Sequence, residues 1–461
     1  MKKLNIYIIA IIVAISSVSC KKMLEIEPEG ATLEEDAINS PEDLVPVLNA
    51  IYDVAANTMG GRTQLFNDLL SDDQANPPSN NDYQEIYNRA VLFFNGTTKN
   101  VYTDLYRIVN RANVIAYQLD RFPNADAQLR QKLLAESRFL RALAHFETVK
   151  LWAQPYGYTS DNSHPGIVIR TTPTTEPKAR ASVKEVYDLI ISDLEYAVNN
   201  LPTTNGNYAD KQAAQAMLAS VYFQMNRFAD AAQLANDVIN TGKYSFDTAQ
   251  INRFVKPDSS TETIFKFVST SNVDNRAKDF TGNYRTDNNP NPALRLSADL
   301  YFTIVGDTLD KRKSLVRIFN EGQGNNEYYG SAKFDFDWAS VPYVHLTALK
   351  LLRAEALAES NQDLSTAIAD VNEIRKRAYG AGHKQLALNA LPQAIIDAAR
   401  YERRIELMCE GNRVQDLKRR GANGEAITIR TANWNCNGML IQFPIEEKTS
   451  LFSMNPTGGC N

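Results

Sequence analysis

Histidine and cysteine are both scarce in this chain, with four of each among 461 residues. The histidines, His145, His164, His345 and His383, are widely separated in sequence, so no metal site is expected, and His145 and His345 read as packing or hydrogen-bonding residues. His-Glu-x-x-His, a phosphate loop ending in Gly-Lys-Ser/Thr and Gly-x-Ser-x-Gly are all missing. Gly322-Gln323-Gly324 lacks the third glycine and the flanking strand that a dinucleotide site needs. Positive charge is also short: 49 basic against 54 acidic residues leave a net charge of −5, which disfavours nucleic acid as a partner. After residue 20 no second long apolar run occurs, so no membrane-spanning segment is expected there. These absences argue against an enzyme and against any cofactor.

The first twenty residues are different in kind. Met1-Lys2-Lys3 is followed by an almost wholly apolar stretch from Leu4 to Val18, and Ser17-Val18-Ser19 places small residues directly before Cys20. The run is roughly fifteen residues, which suits the apolar region of a secretory signal and falls short of the roughly 20 that span a bilayer. Residues 1–19 therefore read as a lipoprotein signal that is removed, and Cys20 as the acylated N-terminus tethering the chain to a membrane. Loss of Lys2 and Lys3 takes the net charge from −5 to −7. Cysteine use fits export: Cys436 and Cys460 flank the C-terminal segment in loop-like contexts, and we expect a disulfide between them worth roughly 3 kcal/mol in the chain-entropy picture. Cys409 falls in a helical pattern and reads as a small buried hydrophobe.

With hydrophobic residues at 44%, the remainder can bury a large core. Ser40-Pro41-Glu42-Asp43 starts a helix, and Leu44, Val47, Leu48, Ile51 and Val54 continue it at helical spacing. Residues 57–100 lose that period and fill with Asn, Asp, Gly and Pro, which reads as a long surface excursion. Over 126–153 the stripe Ala135, Phe139, Ala142, Phe146 and Val149, widened by Leu133, Leu140, Leu143 and Leu151, predicts a helix buried between others. Two helix pairs follow with tetratricopeptide-like spacing, at 209–242 around the turn Asn226-Arg227-Phe228 and at 344–378 around Asn361-Gln362-Asp363. An irregular, aromatic-rich insertion at 245–343 separates them. The expected fold is mainly α, a single compact unit of tetratricopeptide-like pairs carrying loop-rich excursions with a few short strands. Its N-terminal region covers 20–245 and its C-terminal region 246–461.

The densest charge cluster runs from Glu402-Arg403-Arg404 through Glu406, Glu410 and Arg413 to Asp416. Paired carboxylates could serve glycoside hydrolysis. Their helical spacing points instead to ion pairs that tie helices together, with Arg413 beside Asp416. Aromatics in the irregular segments are the better binding signal: Tyr83, Tyr87, Phe93 and Phe94 in the first excursion, Tyr284, Tyr301, Tyr328, Tyr329 and Trp338 in the second. Rings beside Asn, Asp and Arg offer stacking area and polar edges to a sugar or peptide. The candidate ligand residues are Asp72, Asp73, Tyr83, Tyr87, Tyr284, Tyr328 and Trp338.

Four segments together carry a resemblance. Ala135-Glu136-Ser137-Arg138-Phe139-Leu140-Arg141-Ala142, Leu352-Arg353-Ala354-Glu355-Ala356-Leu357 with Asn372-Glu373-Ile374-Arg375-Lys376-Arg377-Ala378, Glu402-Arg403-Arg404-Ile405-Glu406-Leu407 to Gly411-Asn412-Arg413, and Phe443-Pro444-Ile445-Glu446-Glu447 to Asn455-Pro456 occur in order. The chain resembles the SusD/RagB family of nutrient-binding outer-membrane lipoproteins. His345 and Ala348 depart from it, standing where the preceding helix usually has Arg and Glu. The resemblance implies capture of oligosaccharides, or of peptides in some members, without catalysis. It also implies a SusC-like TonB-dependent transporter as partner and a lipid-anchored place on the outer membrane, facing the cell exterior. A lipid-anchored glycosidase and a tetratricopeptide-type assembly scaffold are the readings from other classes.

Overall fold

The computed structural model describes residues 38–460, apart from 175, 256–259, 290 and 322–325; the apolar leader and Cys20 lie outside the described residues. The first helix begins where Ser40 and Pro41 place it. The Ser40 N–H donates to Asp43 Oδ2 at 2.8 Å, and after one 3-10 turn α1 (Leu44–Met59) buries Leu44, Leu48, Ile51 and Val54. Gly60-Gly61 breaks it. Gly61 has φ +153°, and a Cβ there would stand 2.9 Å from the Asp279 Cβ, so the bend requires glycine.

The bend leads into α2 (Arg62–Leu70), which corrects the reading of 57–100 as one surface excursion. Thr63, Leu65, Phe66, Leu69 and Leu70 are buried. So are Asn67 and Asp68, whose polar atoms are bonded: Asn67 Nδ2 donates to the Thr63 carbonyl at 2.8 Å, and Asp68 Oδ2 accepts the Tyr284 hydroxyl at 2.9 Å. Polar residues here mark internal bonds and not solvent. The true excursion is the stretch from Ser71 to Asn95, interrupted by α3 (Asn81–Tyr87).

Next come α4 (Gly96–Leu119) and α5 (Ala127–Trp152), then α6 (Val183–Asn200); α5 packs against α1, α4 and α6, and its whole predicted stripe is buried. Asp126 caps α5 by accepting the Leu129 N–H at 2.9 Å. The first tetratricopeptide-like pair is α7 (Lys211–Gln224) and α8 (Phe228–Ile239), joined by Asn226 in the left-handed region at φ 58°. The second is α12 (Leu346–Glu359) and α13 (Leu364–Tyr379), capped by Asp363. Between the pairs lie α9 (Asn252–Val255), α10 (Lys278–Tyr284), α11 (Ala298–Val305) and two antiparallel ribbons, β1 (Thr263–Phe267) with β4 (Val341–His345) and β2 (Val316–Glu321) with β3 (Asn326–Ser331). The closing elements are α14 (Pro392–Glu406), α15 (Arg413–Ala422) and the small ribbon β5 (Thr428–Ile429)–β6 (Ala432–Asn433).

One hydrophobic core runs through all of this, from Ile38 to Phe452. A disulfide joins Cys436 to Cys460, whose Cα atoms are 5.3 Å apart. Cys409 is a buried free thiol, but it sits in the turn between α14 and α15 at φ 60°, not in a helix. Arg413 does not pair with Asp416: it reaches Asp72 through two contacts of 2.8 Å, and Arg403 takes Asp416 at 2.7 Å. His345 donates its Nε2–H to Glu410 at 3.0 Å and caps α12 through Nδ1, which accepts the Ala348 N–H. Among the described residues no helix is long and apolar enough to cross a membrane.

Candidate functional site

The two irregular segments meet along a shared backbone ladder whose rungs join residues more than two hundred positions apart. Ser71 ends α2 by donating its hydroxyl to the Asp68 carbonyl at 2.7 Å, which sends the chain out extended. The Ser297 N–H then donates to the Asp73 carbonyl at 2.8 Å, and the Ala75 N–H to the Arg295 carbonyl at 2.8 Å. On its other side this stretch pairs with β3, the Leu296 N–H donating to the Tyr329 carbonyl at 2.8 Å. Residues 73–75, 295–297, β3 and β2 thus form one wall.

Aromatic rings stack on both faces of that wall. Phe319 and Tyr328 are cross-strand partners with near-parallel rings, 5.2 Å between centroids and 14° between planes. The Arg295 guanidinium lies 3.9 Å from the Tyr328 centroid. On the other face Tyr301 stacks on Tyr329 at 4.3 Å, and Phe302, 55% exposed, stands against Tyr329 at 5.6 Å. At the foot of the wall Arg317 pairs with Asp335 at 3.0 Å, and Asp335 accepts the Thr286 N–H at 2.7 Å.

Of the predicted residues, Tyr328 is half-buried in this stack and Trp338 is 39% exposed on the loop before β4, beside the Arg285–Asp337 pair at 2.8 Å. Tyr83 and Tyr87 are half-buried on α3, and Tyr87 carries the Arg430 guanidinium 3.8 Å from its ring centroid. Arg430 is held there by a two-residue hairpin turn in which Arg430 and Thr431 both have positive φ, 45° and 74°, a conformation that favours Asn-Gly. Asp72 and Asp73 turn out to be anchors. Burial would raise the Asp72 carboxyl, but the Arg413 hydrogen bond and the Arg413 and Arg404 charges outweigh it and hold it low. Asp73 is deeply buried against Arg404 at 2.8 Å, and burial prevails there and pushes it up. Tyr284 is removed from the set: it lies on α10 fully buried, its hydroxyl bonded to Asp68, so it is a core residue and offers no ring to a ligand.

Sequence reasoning missed Arg295, Phe319, Phe302 and Arg430. Phe319 was readable as the alternate residue of a strand from Val316, whereas Arg295 and Arg430 reach their rings through contacts that local spacing does not reveal. The helix-bound carboxylates are not acid–base candidates. Burial would raise Glu406, but Arg377, Arg312 and Arg253 hold it down at about 2, and Glu402 is taken by Arg312 and Arg375 at 2.8 Å each. Among the described residues no group of three or more His, Cys, Asp or Glu could hold a metal ion.

Residues 22–223 match the family model described as SusD-like, starch-binding and associating with the outer membrane, and residues 308–439 match the SusD family model. The chain belongs to the SusD/RagB family. A SusD-like protein P2 of Formosa agariphila is 25% identical over 476 residues, covering 91% of each protein. Other SusD-like proteins of the same organism match over a shorter stretch, this chain spanning 44% and 47% of their length. A SusD superfamily protein from Bacteroides thetaiotaomicron shares the fold with a TM-score of 0.77 at 20% identity, over 90% of this chain and 100% of that one. A laminarin-binding SusD-like protein does so with a TM-score of 0.71 at 20% identity, over 90% and 99%. SusD/RagB proteins are carbohydrate-binding and associated with the outer membrane, and neither matching model describes an enzyme.

Proposed function

We propose that this SusD/RagB protein is a non-catalytic, lipid-anchored receptor that binds glycan oligosaccharides and passes them to a SusC-like TonB-dependent transporter. Cys20 would be the acylated residue, and the bound face would look out from the cell. The observation that carries this reading is the composite wall: two excursions zipped together and lined by Phe319–Tyr328, Tyr301–Tyr329 and Phe302, with Arg295, Arg317 and Asp335 at their edges. Flat rings bordered by hydrogen-bonding groups suit the apolar face and hydroxyl edge of a sugar. A peptide would more readily use free backbone edges, and at 295–297 both edges are already paired. The laminarin-binding relative of the same fold is consistent with glycan as the ligand class.

A glycan array on the soluble fragment from residue 21, followed by calorimetry on the best ligand, tests the proposal. Oligosaccharide binding weakened by Tyr328→Ala and by Trp338→Ala is the expected result. Binding indifferent to both substitutions would place the site elsewhere, and hydrolysis of the oligosaccharide would overturn the non-catalytic reading. Co-purification of a large barrel transporter with the native lipoprotein checks the partner.

A further inference from the structure

Both tetratricopeptide-like pairs, α5 and the insertion converge on a cavity that none of the wall's rings lines. It encloses about 120 Å³ between α5, α7, β4, the start of α12 and the segment from Glu410 to Gln415, and it is partly open to solvent. At about 10–15 Å³ for each water, that is room for roughly eight to twelve waters, or for one molecule of about a dozen heavy atoms.

Two buried side chains present oxygens to this space. Glu147 is 4% exposed, and its Oε1 accepts the Tyr343 hydroxyl at 2.6 Å and the Lys150 ammonium at 2.7 Å. Gln415 is 5% exposed, and its amide nitrogen donates to Asn67 Oδ1 at 2.6 Å and to the Lys150 carbonyl at 3.1 Å. Asn67 is itself fixed by donating to the Thr63 carbonyl, so the Gln415 amide has one orientation and its Oε1 is turned away from both acceptors. Glu147 Oε2 and Gln415 Oε1 have no partner among the described residues, yet neither is shut off from accessible surface. For side chains this deeply buried, the surface they keep is that of the cavity they line.

The charges around them are already answered. Lys150 offsets Glu147, His345 holds Glu410 at 3.0 Å, and Arg403 is taken by Asp416 at 2.7 Å. Phe146, Met217, Phe223 and Leu352 line the same space with hydrocarbon. The cavity thus asks for a neutral molecule that can donate to two fixed oxygens, accept from the remaining N–H groups of Lys150 and cover apolar surface. Water satisfies the first two demands and gains nothing from the third. A ring with hydroxyls on its rim and C–H groups on its face satisfies all three.

We propose that this cavity binds a single neutral sugar ring, or a cyclic polyol of that size, with hydroxyls donating to Glu147 Oε2 and Gln415 Oε1 and its C–H face against Phe146 and Met217. The volume takes one ring and excludes a chain of them, so the site is distinct from the wall and does not depend on the glycan reading given to it. Because Tyr343 ties β4 to Glu147, a bound ring also braces the insertion against α5, and its signature is a rise in melting temperature.

The test uses the mature protein. D-glucose should raise the melting temperature saturably, beyond the non-specific rise that sucrose, too large for the cavity, gives at matched osmolality. The rise should be retained in Tyr328→Ala, which alters the wall. Ser220→Leu fills the cavity from α7 and removes only a bond within its own helix, and should abolish the rise. Glu147→Gln, which replaces a charged acceptor by a neutral one, should weaken glucose binding about tenfold. Crystals soaked in glucose should show the ring within hydrogen-bond distance of Glu147 Oε2 and Gln415 Oε1. Should Ser220→Leu fail to fold, the soak and Glu147→Gln carry the test. No rise beyond that of sucrose, together with ordered water alone in the soaked cavity, overturns the proposal. So does a rise that Ser220→Leu leaves intact, which places the glucose elsewhere, or an equal rise with cyclohexanol, which shows an apolar site. Glucose in the cavity with no oligosaccharide bound at the wall removes the glycan reading and leaves the cavity; oligosaccharide bound while the cavity holds water does the reverse.

Discussion

The two tetratricopeptide-like pairs share a plan and differ in what they bury. In α7–α8 the interface is built of small apolar residues, Ala213, Ala214, Ala216, Ala219, Ala231, Ala232 and Ala235, and no charged side chain of either helix is buried. In α12–α13 and the adjoining α14, buried ion pairs take over: Arg353 with Asp370 at 2.7 Å, Glu355 with Arg419 at 2.6 Å, Glu406 with Arg377 at 2.8 Å. The difference follows from what each pair must hold. The first pair packs against its helical neighbours, whereas the second receives the insertion, which supplies Arg253, Glu262, Arg312 and Lys333 to the same network. Apolar packing tolerates sliding; a buried fork on a carboxylate does not. The charged pairs therefore act as keys that seat the insertion in one position, and hence fix the aromatic wall that the insertion carries.

The contrast can be broken from either side. The largest effect is expected at its charged end, where Glu406→Ala leaves Arg253, Arg312 and Arg377 short of a buried partner; a loss of about 3–5 kcal/mol in urea unfolding is expected, with the insertion becoming susceptible to limited proteolysis. On the neutral side, Ala219→Leu overfills a close helix contact and should cost about 1–3 kcal/mol without exposing the insertion to protease. Equal proteolysis in both variants would show that the network has no seating role.

Titration separates a third position from both. Glu406 is held at about 2 in the fold against an ordinary 4.5, so the stability it contributes is present near neutrality and is lost as pH falls through that interval. Asp68, at the seam between α2, α10 and the turn after Cys409, behaves oppositely. Burial pushes it up to about 8 despite the bonds from Tyr284 and Gly411, so the folded state binds its proton more tightly than the unfolded chain. Its contribution is full only below the ordinary carboxylate value of 3.8 and is lost progressively as pH rises from there to about 8. Asp68→Asn should flatten the fall in melting temperature between pH 5 and pH 8, roughly the interval between an ordinary carboxylate and this one; an unchanged slope would sink the assignment. The smallest stability effect is expected on the exposed loop before β4, where Trp338→Ala should shift unfolding by less than about 0.5 kcal/mol. The same change should remove about 1 kcal/mol of glycan binding.

Much of the scaffold was legible because its signals are local. The stripe of α5, the cap at Ser40 and the alanine-rich spacing of α7–α8 are all patterns within one or two turns of chain. The failures share a different cause. Asn67 and Asp68 looked like solvent-facing residues, and Tyr284 looked like a loop aromatic, because their partners are remote: Gln415, Gly411 and Asp68 itself. Arg413 and Asp416 were expected to form ion pairs outside their own helix, but spacing did not reveal that Arg413 reaches Asp72, 341 positions away. Of the candidate ligand residues, Tyr328 and Trp338 could be picked out by composition, whereas the Arg295 and Arg430 contacts depend on which loops meet, and local periodicity does not encode that.

The ladder through 73–75, 295–297 and β3 also limits how such a receptor can diversify. Backbone hydrogen bonds read register and not side-chain identity, so the rings of the wall can be exchanged one at a time while the pairing persists. Insertions and deletions are tolerable between the rungs and ruinous within them. New cargo specificity would then arise by swapping residues on a fixed frame or by lengthening the chain between 76 and 94, leaving the frame itself as the part that descendants keep.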